Sequence, residues 1–495
     1  MNAIASATQF EISVDIRYDA GAVPTTLQES VRHMQLRLTY FVLTACFLVA
    51  PRSATSQSAP MTAKIEINVL TDLIGYIEPC GCTVDVMLGG LARLVGWCSE
   101  SRVESPPPLR LVIGHTFFDP NAASSLKVQD KLKAALIGDA LRQSGFTYAI
   151  RPNNSHYVTG DIIALERAAG LRSVSQPTMI EHRGISIGLV PISSKEDLKN
   201  FRSAKPNIAR DANLVIAVSF LSRLETRRLL RDINWIDVTI LAHQSREQKT
   251  LELVSEGYLL EAGDRGRHIA QLVIEGPAPF DGLHYTLPLE DLTPNPLFNR
   301  PISQTIAKKR AGSASLKFEL IALDQSIQPE ANIAHRITSY TESLRGIYAT
   351  KTRQDSPVDN AQSPYAGIQV CADCHPDAVE FWNKTAHAKA WSTLEARNKT
   401  FDAECIGCHV TGWNTLGGSS IGYTAKLENV QCEVCHGPGK GHAEAGGDTT
   451  LLTTQYHASH CATCHNEHHS PRFSYPSYRE RILGPGHGSP LDSPP

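Results

Sequence analysis

Methionine is scarce in this 495-residue chain: Met1, Met34, Met61, Met87 and Met179 are all there is, and none lies beyond residue 179. A thioether side chain is therefore excluded as a local ligand anywhere in the last quarter. Charge of one sign is also lacking, since 47 Lys and Arg stand against 50 Asp and Glu for a net charge of −3. No basic surface for nucleic acid is expected from such a balance. At 42 % hydrophobic residues the chain reads as globular, and its length calls for two or three domains.

Long apolar runs are missing too, except for Leu36 to Ala50, which follows Arg32, includes Arg37 and precedes the small polar stretch Ser53 to Ala59. Its short core and flanks fit a cleaved secretory signal better than a membrane span. We assign residues 1–56 to that signal, with Met34 as an alternative start and cleavage after Ser56. Leu43-Thr44-Ala45-Cys46 also fits a lipobox, which leaves a lipid anchor open as an alternative. Either route predicts a periplasmic or extracellular protein.

What the chain does hold is cysteine in one repeated setting. Eight of its 12 cysteines form four Cys-x-x-Cys-His motifs: Cys371, Cys374 and His375; Cys405, Cys408 and His409; Cys432, Cys435 and His436; Cys461, Cys464 and His465. Random order predicts roughly 0.01 such motifs at this composition. Two thiols at this spacing can form thioether bonds to one haem while the adjacent histidine ligates its iron. Paired cysteines also build zinc sites, but zinc does not require a histidine after every second cysteine. Four covalently bound haem c groups are expected. Second ligands would come from His387, His442, His457, His460, His468, His469 and His487, which makes bis-histidine ligation the default.

Residues 62–290 alternate apolar runs with amphipathic segments. Strands are predicted at 65–70, 109–114, 185–191, 214–220, 238–243 and 269–274, and helices at 127–143 and 223–232, the pattern of a layered α/β domain. Residues 291–365 read as a Pro-rich and helical linker containing a helix over 331–348. Residues 366–490 form the haem domain, too short and too poor in apolar runs to build a core without its macrocycles. Trp382, Trp391 and Trp413 are expected to pack against porphyrin edges.

The segments CADCHPDAVEFWNKTAHAKAW, ECIGCHVTGW, NVQCEVCHGPGKGH and CATCH with HSPRF resemble the tetrahaem cytochrome c554 family over residues 368–487. The resemblance implies a small, mostly helical fold with stacked haem pairs and an electron-transfer role. It also implies that His387 caps the third haem, that His442 caps the first, and that the haem of His409 has an open distal side; for the fourth haem, His487 is favoured over His468 and His469.

The stretch from Val69 through Asp72 to Cys82, followed by Gly89-Gly90-Leu91-Ala92-Arg93, and later Ile240 to His243 and Leu260 to Arg265, resembles the 5'-nucleotidase branch of metallophosphoesterases. Such enzymes use two metals to polarise phosphate. Here the ligand set is broken: Asp72 and His243 fit, but Ile74, His115, Phe220 and Ser245 stand where His, Asp, His and a further ligand belong, and Asn153, Asn154 and His156 align loosely with an Asn-His segment. The domain is expected to be inactive. Cys80 or Cys82 paired with Cys98 would make one disulfide, with a metal or redox role for the Cys-Gly-Cys turn as the alternative.

The reading is an exported tetrahaem cytochrome that exchanges electrons with redox partner proteins. Its rivals are a multihaem oxidoreductase acting on a small nitrogen or oxyanion substrate, and a phosphoesterase with a redox attachment. Membrane or cell-surface association and oligomeric state stay open.

Overall fold

The computed structural model describes residues 62–79, 87–101, 107–119, 127–152, 159–197, 200, 207–243, 250–280, 282–285, 314–354, 363–424, 426–454, 456–466, 469–470 and 472–484. The signal segment, Cys80, Cys82, Asn153, Asn154, His156, Ser245, His468 and His487 lie outside them. Among the described residues no helix is long and apolar enough to cross a membrane.

Two sheets lie face to face. The first holds β1 (Thr62–Thr71), β2 (Leu109–Ile113), β3 (Tyr148–Ile150), β4 (Arg172–Val174), β11 (His268–Pro277), β12 (His284–Tyr285) and β13 (Ser315–Ala322), in the order β12-β13-β11-β1-β2-β3-β4. The second holds β5 (Thr178–His182), β6 (Ile185–Ile192), β7 (Leu214–Ser219), β8 (Val238–Leu241), β9 (Glu252–Val254) and β10 (Gly257–Glu261), in the order β5-β6-β7-β8-β10-β9.

Strand periodicity explains the layering. Leu214, Ile216 and Val218 of β7 face the core between the sheets, where they meet Ile65, Ile67 and Val69 of β1. Val215 and Ala217 point the other way, onto Leu229 and Leu230 of α5 (Arg223–Asp232). Helix α4 (Asn207–Asp211) adds Ala209 to that outer layer. On the opposite outer face, α1 (Leu91–Glu100), α2 (Lys127–Gln143) and the body of α6 (Ala331–Gln354) cover β1 and β2 through Leu94, Ile137, Ile333 and Leu344; α3 (Thr159–Ala168) precedes β4. The result is a helix–sheet–sheet–helix stack.

Each predicted strand and helix is present, and β11 is longer than predicted because it pairs on both sides, with β1 and β13. The part of the chain read as a linker is in good measure body: β13 runs beside β11 over eight residues, and α6 packs on α1 and α2. That expectation is corrected, because the alternation in Ser-Leu-Lys-Phe-Glu-Leu lets Leu316 and Phe318 close the core.

Beyond residue 363 the chain is short helices joined by turns: α7 (Ile368–Cys374), α8 (Pro376–Trp382), α9 (Ala390–Glu395), α10 (Ala403–Ile406), α11 (Cys432–His436), α12 (Lys440–Glu444), α13 (Ala458–Ala462) and α14 (Tyr475–Glu480). Its own apolar core is small, Leu394, Ile406 and Val410 with Trp391 and Trp413 packed around them.

Candidate functional site

In three motifs the histidine follows its helix as the backbone turns, and in the third His436 is the last residue of α11. In the first, His375 caps the end of α7 with its N–H on the Cys371 carbonyl at 2.8 Å. The motifs also meet one another: the Cys371 thiol hydrogen-bonds that of Cys432, and Cys464 hydrogen-bonds Cys408. None of the eight motif cysteines is in a disulfide.

Imidazole orientation is set by bonds to Nδ1. His409 Nδ1 donates to the Ala390 carbonyl at 2.6 Å, His442 Nδ1 to the Asp448 carbonyl at 2.9 Å, and His465 Nδ1 shares a hydrogen bond with Ser470 Oγ at 3.1 Å. Bonds of this kind hold the tautomer that leaves Nε2 for a metal. His436 Nδ1 meets Tyr456 Oη at 2.5 Å, and that hydroxyl, which donates to the Thr453 carbonyl at 2.6 Å, also lies 3.2 Å from His436 Nε2.

Facing rings supply the fit test for haem. Two imidazoles binding one metal at about 2 Å through a ring nitrogen have centroids about 6 Å apart. His375 and His442 are stacked with centroids 6.3 Å apart and 18° between planes, and His387 and His465 stand 6.1 Å apart at 40°. Eight thiols at CxxCH spacing suit haem c; the two ring pairs have a compatible separation, as do His457 and His460 at 6.3 Å and 26°, so the thiol spacing carries the fit.

A buried carboxylate sets the first pair. Glu433, inside the third motif, accepts N–H bonds from Ala366 (2.8 Å), Gly367 (2.9 Å) and Gly439 (2.7 Å), so it ties the start of α7, which leads to His375, to the turn before α12, which carries His442. Gln431 adds a bond from the Ile368 N–H at 2.8 Å.

The resemblance implied the third haem for His387; in the structure its ring lies 6.1 Å from that of His465 of the fourth motif. Trp382 Nε1 donates to the Val430 carbonyl at 2.8 Å and the Val430 N–H to the His387 carbonyl at 3.2 Å, which anchors this turn. Burial and the neighbouring His465 both lower the His387 pKa. Phe473, from the HSPRF segment, stacks on His465 at 5.0 Å.

Among the described residues no second imidazole stands opposite His409 as His442 does opposite His375. His457 and His460 stack on each other at 6.3 Å, and the His469 N–H donates to Asn466 Oδ1 at 3.1 Å. Trp391 and Trp413 surround Ile406 of the second motif, and a Cβ on Gly407 would lie 3.0 Å from Trp413. Glu433 and Tyr456 were missed in the sequence, where neither belongs to a motif that names it. The unspecified x-x of CxxCH hides Glu433, though a charged residue between two cysteines of an apolar site was a usable signal.

Residues 370–437 match the family model of cytochrome c554 and c-prime. The C-terminal region is cytochrome c554-like. Cytochrome c-554 of Nitrosomonas europaea is 36 % identical over 96 residues, 16 % of this chain and 41 % of that protein, so the chain spans well under half the length of the relative it matches. Among solved structures, a 5'-nucleotidase precursor from Thermus thermophilus aligns at 12 % identity over 77 % of this chain and 73 % of its own, with a TM-score of 0.41. A calcineurin-like phosphoesterase from Bacillus subtilis aligns at 12 % identity over 57 % of this chain and 98 % of its own, with a TM-score of 0.39. Likeness at this level speaks to neither site nor activity.

The second candidate site lies at the carboxyl ends of β1, β2, β7 and β8. Asp72, 1 % exposed, is fully engaged: it accepts the His115 N–H at 3.0 Å and the His243 N–H at 2.5 Å, and its Oδ1 lies 2.9 Å from His243 Nδ1. The His115 and His243 rings stack at 4.3 Å and Phe220 closes on His243 at 5.2 Å. Ile74 and His243 sit at φ of 52° and 60°, and a Cβ on Gly114 would fall 2.0 Å from Asp72 Oδ1. Desolvation first, and then His243, lowers the His115 pKa to about 4. These side chains bond one another, and among the described residues no cluster of three His, Cys, Asp or Glu is disposed to hold a metal ion. Cys98 is buried on α1, and its expected partners Cys80 and Cys82 are outside the described residues.

Proposed function

We propose that the mature protein is an exported tetrahaem c-type cytochrome that relays single electrons between redox partner proteins. The four CxxCH motifs support this reading above all else, and the imidazole pairs at 6.1 and 6.3 Å are compatible with it. In it, His375, His409, His436 and His465 are the motif ligands, His442 caps the iron of the first motif and His387 that of the fourth. When bound, haem supplies reversible one-electron chemistry. The chain's own part is to fix ring planes through the Nδ1 bonds, to exclude water with Trp391, Trp413 and Phe473, and to bring the motifs into contact.

The test is the haem stoichiometry of the exported chain, by intact mass and alkaline pyridine absorbance, with EPR of the oxidised protein. Four haems with low-spin signals for two irons at least are expected; fewer than four covalent haems would sink the reading. A periplasmic or extracellular mature form, cut after Ser56 or lipidated at Cys46, is part of the same proposal, checked by its N-terminal mass.

A second reading rests on His409, which, like His436, has no imidazole opposite it among the described residues and whose haem the family likeness leaves open on the distal side. An iron open on that side would bind a small nitrogen or oxyanion substrate, and a high-spin EPR signal together with turnover of hydroxylamine or a nitrogen oxyanion would establish it. The phosphoesterase reading has the engaged Asp72 against it, and only metal-dependent phosphoester hydrolysis abolished by Asp72→Ala would restore it.

A further inference from the structure

Among the described residues, the α/β body holds the second haem motif with a set of charges. The segment Asn398–Cys405 leads into the second motif, and α2, α6 and the loop after β1 close on it. Gln129, fully buried on α2, binds both ends of one N-cap: its Nε2 donates to Asp402 Oδ1 at 2.7 Å and its Oε1 accepts the Ala403 N–H at 3.1 Å. Asp402 in turn caps α10, the helix that carries Cys405, by accepting the Glu404 N–H at 3.1 Å.

Around this cap lie four carboxylates and two ammonium groups. Lys133 of α2 pairs with Glu404 and, at 3.9 Å, with Asp130, and Lys399 pairs with Glu78 and, at 3.5 Å, with Asp402. Lys133 and Asp402 are 2 % and 7 % exposed, while the Glu404 and Glu78 side chains are 37 % and 38 % exposed, so the field is sheltered on the side of Lys133 and Asp402. Arg345 of α6 adds a bond to Asn398 at 3.1 Å. The formal sum of the four carboxylates and two ammonium groups is negative, and a group nearby feels it: Tyr340, buried on α6, has its pKa raised by burial and then by Asp402, Glu404 and Glu78.

Resting on the tetrahaem reading, we propose that the α/β body, its phosphoesterase side chains turned on one another, serves as an electrostatic clamp that lowers the reduction potential of the haem held by Cys405, Cys408 and His409. Negative charge beside a haem favours the oxidised iron, which carries one more positive charge, so removing a carboxylate raises the potential and removing an ammonium lowers it. Glu78, Lys133 and Gln129 are positioning residues from the body; none touches iron.

The experiment is a spectroelectrochemical titration of the full chain. The haem in question is assigned by its loss in the Cys405→Ala/Cys408→Ala double variant. Glu404→Gln is expected to shift that haem positive, Lys133→Met to shift it negative, and Lys133→Arg to leave it near the parent value, the other three haems moving less. No shift in either charge variant at full haem loading would overturn the clamp. So would shifts of the same sign in both, the mark of a loosened contact that admits water. If Lys133→Met fails to accumulate, Glu78→Gln takes its place beside Glu404→Gln: positive shifts in both, with Lys133→Arg unmoved, support the clamp, and unmoved potentials overturn it. A parent protein with fewer than four haems sinks the tetrahaem reading instead, a result visible by mass before any potential is measured.

Discussion

At the scale of the residue, Glu433 matters most for the first ligand pair. Its carboxylate is 5 % exposed and accepts three backbone N–H groups from two separate segments. Deleting it leaves those donors buried, at about 1–3 kcal/mol each. Glu433→Ala should therefore cost at least about 2 kcal/mol in a denaturant melt of the holoprotein. It should also convert part of the low-spin EPR signal to high spin, because α12 no longer holds His442 opposite His375. An unchanged EPR spectrum would show that the pair is held by other means. His268 on β11, with His115, contributes to the pH dependence. Burial, helped by Arg267 and opposed by Asp264, lowers its pKa to about 4. The unfolded chain takes up this proton near pH 6.5 and the folded one only near 4, so the stabilisation is complete above 6.5 and is lost as pH falls towards 4. His268→Gln should flatten that part of the stability profile, read by thermal melts between about pH 4 and 7.

At the scale of the element, α6 shows how much of a fold a sequence discloses. Its helical spacing over 331–348 was readable, because Ile333, Tyr340, Leu344 and Tyr348 recur on one face. Its destination was not, since nothing local says that this face meets α1 and α2 rather than solvent. The same holds for β13, whose alternation is as clear as that of β1 but which lies after a Pro-rich stretch that reads as an ending. For the site, spacing alone disclosed the four motif histidines, and the pairing of His442 with His375 followed from the family likeness. The nearness of His387 to His465 did not follow, because it is set by the Trp382 and Val430 bonds, which act between segments 48 residues apart. If α6 is part of the body, Leu344→Ala, at a side chain 1 % exposed, should destabilise it by about 2–5 kcal/mol. A loss below about 1 kcal/mol on chemical denaturation would return α6 to the status of a tether.

At the scale of the whole molecule, the two parts solve the problem of a core differently. The α/β body buries aliphatic side chains in three layers of contact, whereas the region after residue 363 has a described core of three residues with a few partly buried neighbours. Apolar burial of that size does not offset the conformational entropy of so many turns. The chain made without haem attachment should accordingly keep the sheet signal in far-UV circular dichroism, while limited proteolysis cuts first between residues 363 and 484. Equal protease resistance with and without haem would contradict this division.

The bond between Gln129 and Asp402 joins residues 273 positions apart. Every strand of both sheets, and α6 behind them, precedes the first CxxCH motif in the chain. Because the N-terminal chain is made first, every residue of the surface that receives the second motif is synthesised before that motif.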